Sequence, residues 1–154
     1  MNMKNLFAAL LLVFMAGGPV LAAAEKGVLL PISGPLTAEE KKGLADTVAG
    51  HLSGSYQVVY GEEVNDYITK VFREESKKDD CDEEACYRKI ATHYGAETIF
   101  ALRVVKEGDA LYVVTFNIYD VLTEKVVQSR KEACSHCSYE SLNEISGRLV
   151  LVEK

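Results

Sequence analysis

The chain has 154 residues, 48% of them apolar, and carries 17 Lys+Arg against 23 Asp+Glu for a net charge of −6. That length suits one domain with one good core, and the apolar share is ample to pack it. An acidic chain without a basic tract is repelled by phosphate backbones and anionic lipid, which argues against nucleic acid and membrane surfaces as partners.

The first 24 residues have the layout of an export signal. Lys4 supplies the positive charge, and Leu6 to Met15 form an apolar run too short to span a bilayer comfortably. Ala22, Ala23 and Ala24 offer the small side chains a signal peptidase needs. Cleavage is expected after Ala24, with Ala22 the close second choice, leaving 25–154 as one globular domain. No Cys lies near that site to carry a lipid anchor, and no second long apolar run follows to span a membrane. The expected product is a soluble periplasmic protein. Its charge becomes −7, because the signal removes Lys4 and no acid.

Gly27 to Ser33 reads as a short buried strand broken by Gly34-Pro35. Thr37 with Glu40 three residues on is a capping-box pattern, and Leu44, Ala45, Val48, Ala49 and Leu52 then fall on one helical face. Tyr56 to Tyr60 is β-branched and aromatic, as a second, parallel strand requires. The next helix places Val64, Tyr67, Ile68, Val71 and Phe72 on one stripe. It is expected to fray within the charged run Arg73 to Asp80, a solvated loop. A further helix from Asp82 to Tyr94 buries Cys86, Ile90, Ala91 and Tyr94, and Gly95 is placed to stop it.

The last third changes period. Thr98 to Lys106 alternates Phe100, Leu102 and Val104 against the opposite face, and Gly108-Asp109 marks a hairpin turn. Leu111 to Asp120 turns Tyr112, Val114, Phe116 and Ile118 inward, and a turn near Leu122 to Glu124 leads to a strand over Lys125 to Ala133. A final helix from Ser141, with Glu144 completing a second capping box, aligns Leu142, Ile145, Leu149 and Val152. The order β-α-β-α-α-β-β-β-α predicts an α/β (α+β) fold. It consists of a mixed sheet of about five strands with an antiparallel meander, and helices packed on it.

The four cysteines, Cys81, Cys86, Cys134 and Cys137, all follow the signal, so structural disulfides are expected and three pairings are open. Local pairing, Cys81 to Cys86 and Cys134 to Cys137, suits the short spacings. Cross-pairing would close loops of about 50 residues, which loop entropy rates at roughly 4 kcal/mol against roughly 2 for each short bridge. Two other chemistries use the same residue types. Cys134-Ser-His-Cys137, at a strand-to-helix junction, could serve a small thiol–disulfide oxidoreductase. Against it, no Pro follows Pro35 to face the motif, and only 17 residues follow Cys137. Four thiolates, or Cys134, His136 and Cys137 with another ligand, could hold zinc, but an oxidising compartment works against free thiolates.

His51 and His93 lie near helix ends, where surface or satisfied roles are the simpler reading. Ser33 has no His or acid at a recognisable spacing, and Lys41 to Thr47 lacks the glycine spacing of a phosphate loop. The sequence therefore implies no catalytic residue, no metal and no cofactor.

Three blocks carry a resemblance: YQVVYGEEVNDYI (56–68), CDEEACYRKIATHYGAETIFALRVV (81–105) and LYVVTFNIYDVLTEKVVQS (111–129). Together they resemble the small periplasmic α/β domain shared by the TolB amino-terminal domain, the CsgG curli-secretion protein and the LpoB-type lipoprotein activators. In that superfamily a helix ending in Gly-Ala feeds a hairpin whose second strand ends in Asp, here Asp120. The paired cysteines are similar to those of disulfide-containing envelope proteins. Ala101 and Glu124 stand where the superfamily commonly has glycine, which should make the turn at Glu124 longer or less tight. No lipobox Cys and no propeller are present. The resemblance implies a non-catalytic docking module without catalytic residues. Its partner would be another envelope protein or a second copy, engaged through an edge strand of the Thr98 to Ala133 meander or through the terminal helix near Leu149. A small-ligand binder with a groove beside the sheet is the third class.

Overall fold

The computed structural model describes residues 24–77 and 82–151. Nine elements follow in the predicted order: β1 (Glu25–Leu29), α1 (Ala38–Leu52), β2 (Tyr56–Val59), α2 (Glu62–Glu75), α3 (Glu83–Tyr94), β3 (Thr98–Glu107), β4 (Leu111–Asp120), β5 (Lys125–Ser135) and α4 (Tyr139–Val150). They form a five-stranded mixed sheet ordered β2-β1-β3-β4-β5. β1 pairs in parallel with β2 and with β3, while β3, β4 and β5 form an antiparallel meander.

Local chemistry sets the helix ends. Thr37 caps α1 by accepting from the Glu40 amide at 3.2 Å, and the Glu40 carboxylate accepts from the Thr37 amide at 2.8 Å. Two donors that a helix start leaves unpaired are thereby satisfied. Asp82 caps α3 through the Glu84 amide at 3.0 Å, and Gly95 ends it at φ 61°, ψ 42°, a left-handed conformation that glycine adopts without a Cβ clash.

The sheet is covered on both faces. On one face α1 and α4 bury Leu44, Val48, Leu142 and Ile145 against Phe100, Leu102, Val114, Phe116 and Ile118. On the other, α2 and α3 bury Ile68, Val71, Cys86 and Ile90 against Val28, Ile99 and Tyr119. The period-2 alternation of each strand divides its side chains between these two layers.

Four details depart from the sequence reading. β1 starts earlier and ends earlier than Gly27 to Ser33. Beyond Leu29 the chain keeps only looser contact with β3, through the Leu30 amide to Phe100 O at 2.9 Å and a bridge between Ser33 and Arg103. α2 runs through Glu75, and that carboxylate is buried and paired with Lys89 Nζ at 3.4 Å, so the charged run begins as helix. α4 is capped by Ser138, not Ser141: the Ser138 hydroxyl accepts from the Ser141 amide at 3.3 Å. Glu144 therefore completes no capping box and instead lies 3.7 Å from Arg148, one turn on. Leu149 is 7% exposed, packed into the core by the same face as Leu142 and Ile145, so it offers no docking surface.

Candidate functional site

The cysteines fall into two settings. A disulfide joins Cys134, in the last turn-ward part of β5, to Cys137, one residue before the Ser138 cap, with Cα atoms 5.9 Å apart. Between them His136 takes φ 55°, and its amide donates to Ala110 O at 2.8 Å, which anchors the turn to the β3–β4 loop. Cys86 is buried in the first turns of α3 among Val71 and Ile90. Cys81, and with it the expected Cys81–Cys86 bridge, lies outside the described residues, as does Ala22, the second cleavage choice; Ala24, the first, is described and stands exposed just before β1.

This geometry gives the oxidoreductase reading no support. Cys134 belongs to a strand, paired with Tyr112, and Cys137 precedes the cap of α4. Neither sulfur sits in the first turn of a helix, where the dipole would lower a thiol pKa. Among the described residues no group of three His, Cys, Asp or Glu stands placed to hold a metal ion. His51 packs against Gly147 of α4, and His93 stacks on Tyr67 with ring centroids 3.9 Å apart. Both histidines thus have packing roles.

The sheet leaves a long edge open among the described residues. β5 has eleven residues, all exposed or half-buried, and β4 alone pairs with it among the described residues. A register shift at Ile118/Tyr119 gives β5 an extra residue there, and Val126 and Val127 are left 55% and 60% exposed. Leu122, in the turn just before, is 78% exposed. Farther along, Arg130 donates to Leu149 O at 3.5 Å and to Leu151 O, and Glu132 pairs with Arg148 at 2.6 Å, so this end of β5 is tied to α4. The opposite edge, β2, is only four residues long. No helix among the described residues is long and apolar enough to cross a membrane.

The β4–β5 turn is also specific. Asp120 accepts from the Thr123 amide at 2.7 Å and from its hydroxyl at 2.8 Å. These bonds hold the Asp120 carboxyl below its ordinary pKa. Glu124 closes the turn at φ 55° and pairs with Arg88 of α3. Glu124 thus holds a left-handed backbone, a conformation that glycine adopts without a Cβ clash.

Beneath this turn Tyr119 is 4% exposed, and its hydroxyl has no hydrogen-bond partner among the described residues. The sequence offered no sign of it, because the alternating pattern assigned its neighbours Phe116 and Ile118 to the core and Tyr119 to the opposite face.

No protein-family model matches this sequence, and no curated protein does. Solved structures do resemble the fold. The LpoB C-terminal domain from Salmonella enterica has a TM-score of 0.49 at 16% identity, over 86% of this chain and 95% of that one. Lipoprotein GNA1162 from Neisseria meningitidis has a TM-score of 0.49 at 19% identity, over 83% of this chain and 91% of that one. TolB from Acinetobacter baumannii has a TM-score of 0.49 at 12% identity, over 84% of this chain but 28% of TolB.

Proposed function

We propose that this protein is exported to the periplasm, loses residues 1–24, and there acts as a non-catalytic docking domain of the cell envelope. The surface that docks is the outer edge of β5, and the partner is another envelope protein or a second copy. One observation carries the reading: an eleven-residue edge strand with a single neighbour among the described residues and two adjacent exposed valines, Val126 and Val127. Such an edge presents unpaired backbone donors and acceptors to any chain that can add a strand. Lys125, Lys131 and the irregular register beside Val126 restrict that pairing to a partner that matches them.

The test is a photo-crosslinking side chain at Val127 in cells, with Lys42, exposed on α1, as the control site. A discrete adduct at Val127 and none at Lys42 supports the edge. Lys131→Pro and Glu132→Pro sharpen the result, because neighbouring residues of a strand direct their N–H groups to opposite sides. One of the two should keep its melting temperature and lose the adduct. Equal adducts at both sites, or adducts indifferent to both prolines, would refute docking through β5. Intact-mass measurement of the same periplasmic protein should find a chain beginning at Glu25, or at Ala23, and carrying no lipid.

A further inference from the structure

α2 and α3 cover their face of the sheet only as far as Ile99, Ala101 and Tyr119. Beyond that line the same face of β3, β4 and β5 carries no helix among the described residues. Residues directly opposite in a sheet share a face, so the pairing register lays out what is bare. Arg103, Thr115 and Lys131 form one row across the three strands. Val105, Val113 and Ala133 form the next. Val113 is closed in at 5% exposure, but Val105 is half-buried and Ala133 exposed, so the outer two offer apolar surface.

The charges on this face say what would cover it. Arg103 and Lys131 are both exposed, and neither has an ion-pair partner among the described residues. They stand two strand spacings apart, about 10 Å, with Thr115 between them. In a chain of net charge −6, a bare row with two unanswered cations is the exception. That row is also short. Glu107 closes the face two rows farther on, and Glu83 and Glu84 stand exposed beside Ala101 and Asn117 at the near end. These three carboxylates repel an extended polyanion or an anionic membrane, and they leave room for a local pair of acids.

Backbone chemistry selects the shape. An extended segment laid flat on a sheet face leaves its N–H and C=O groups unpaired, whereas a helix bonds its own. A second copy has no such helix to give. Each of the four described helices buries its apolar stripe in its own core.

We propose that this bare face receives a short acidic amphipathic helix of a partner protein. Its apolar stripe rests on Val105 and Ala133, and Glu or Asp side chains one turn away lie over Arg103 and Lys131. The two rows are about 7 Å apart and a helical turn rises about 5.4 Å, so one turn spans the step. The inference rests on the reading of the protein as a docking domain. It adds a face that shares β5 with the docking edge, and Arg103, two strands inside that edge, separates the two.

The test is fluorescence anisotropy of the signal-free protein with a labelled peptide of about 14 residues, braced on its outer side to stay helical. The peptide carries a leucine stripe flanked by glutamates. A second has lysine at every glutamate, and a third has the first one's residues scrambled. Saturable binding of the acidic peptide is expected, with at least ~10-fold weaker binding of the other two. Arg103→Glu and Lys131→Glu should each weaken it ~10-fold at an unchanged melting temperature, since both side chains are exposed. The double variant should reverse the preference and take the lysine peptide. If either variant fails to fold, Arg103→Gln and Lys131→Gln take its place. No saturable binding, equal affinity for the lysine or scrambled peptide, or indifference to the charge reversals overturns the proposal. So does a dimer in sedimentation that the double variant abolishes. Failure here is separate from failure of the β5 edge. Absent peptide binding with a proline-sensitive Val127 adduct in cells overturns the face alone, and peptide binding without that adduct upholds the face alone.

Discussion

The ring of Phe100, on β3, fills the space that a side chain at Gly27, on β1, would need. Phe100 is fully buried, meets Tyr56 edge-on at 4.9 Å and lies parallel to Phe116 at 6.3 Å, so it has nowhere to retreat. Gly27→Ala should therefore cost about 1–3 kcal/mol, the usual penalty of overpacking a core. Gly50, in α1, has open space around its Cα, and Gly50→Ala should stabilise by about 0.5–1 kcal/mol through helix propensity. Urea unfolding of the two variants should show midpoints moved in opposite directions.

Glu124 gives a second paired comparison. Both Glu124→Ala and Glu124→Gly lose the exposed Arg88 partner, so that loss cancels between them. What remains is the left-handed backbone at φ 55°, which alanine strains and glycine does not. The glycine variant should be more stable than the alanine variant by about 1 kcal/mol in urea titration.

Acid should act on the same turn. The folded state holds the Asp120 pKa below its unfolded value, because the carboxylate accepts two bonds from Thr123. A depressed carboxylate pKa contributes stability above the unfolded value, about 3.9, and that contribution is lost as the pH falls through the folded pKa. Asp120→Asn should be less stable than the parent at neutral pH, and the gap should close in strong acid. Melting curves from neutral pH to pH about 2 would show it.

Removal of the Cys134–Cys137 bridge by serine at both positions should cost about 2 kcal/mol, the amount loop entropy assigns to so short a closure. The effect should reach α4, because the bridge ends one residue before its cap. Amide exchange should therefore rise in Leu142 and Ile145 before it rises in β1. Non-reducing peptide mapping of the parent should find Cys134 with Cys137, and should also reveal whether Cys81 joins Cys86.

Features governed by neighbours in the chain were legible in the sequence. Thr37 and Glu40 cap each other across three residues, and Gly95 stops α3 at the next position; no distant group is needed for either. Ser138 and Ser141 could each cap α4, and the choice went to Ser138, which the nearby bridge at Cys137 holds beside the helix start. Glu75 reads as solvated because its partner Lys89 belongs to the next helix. Tyr119 was missed for a related reason. Period 2 marks one buried face, whereas this end of β4 is covered on both, so no contrast is left to read.

β1 is the first described strand in the chain yet stands inside the sheet, between β2 and β3. Its five residues are therefore no dispensable leader: a protease that trimmed past Leu29 would leave β2 with no neighbour and the meander with a new raw border. Purification handles and tethers belong at the other terminus, after α4, which covers the sheet from outside it and pairs with no strand. The same asymmetry sets an order of assembly during synthesis. A chain threaded amino end first delivers β1 long before β3, its partner some seventy positions later, so the early half must wait, half-paired, for the late one.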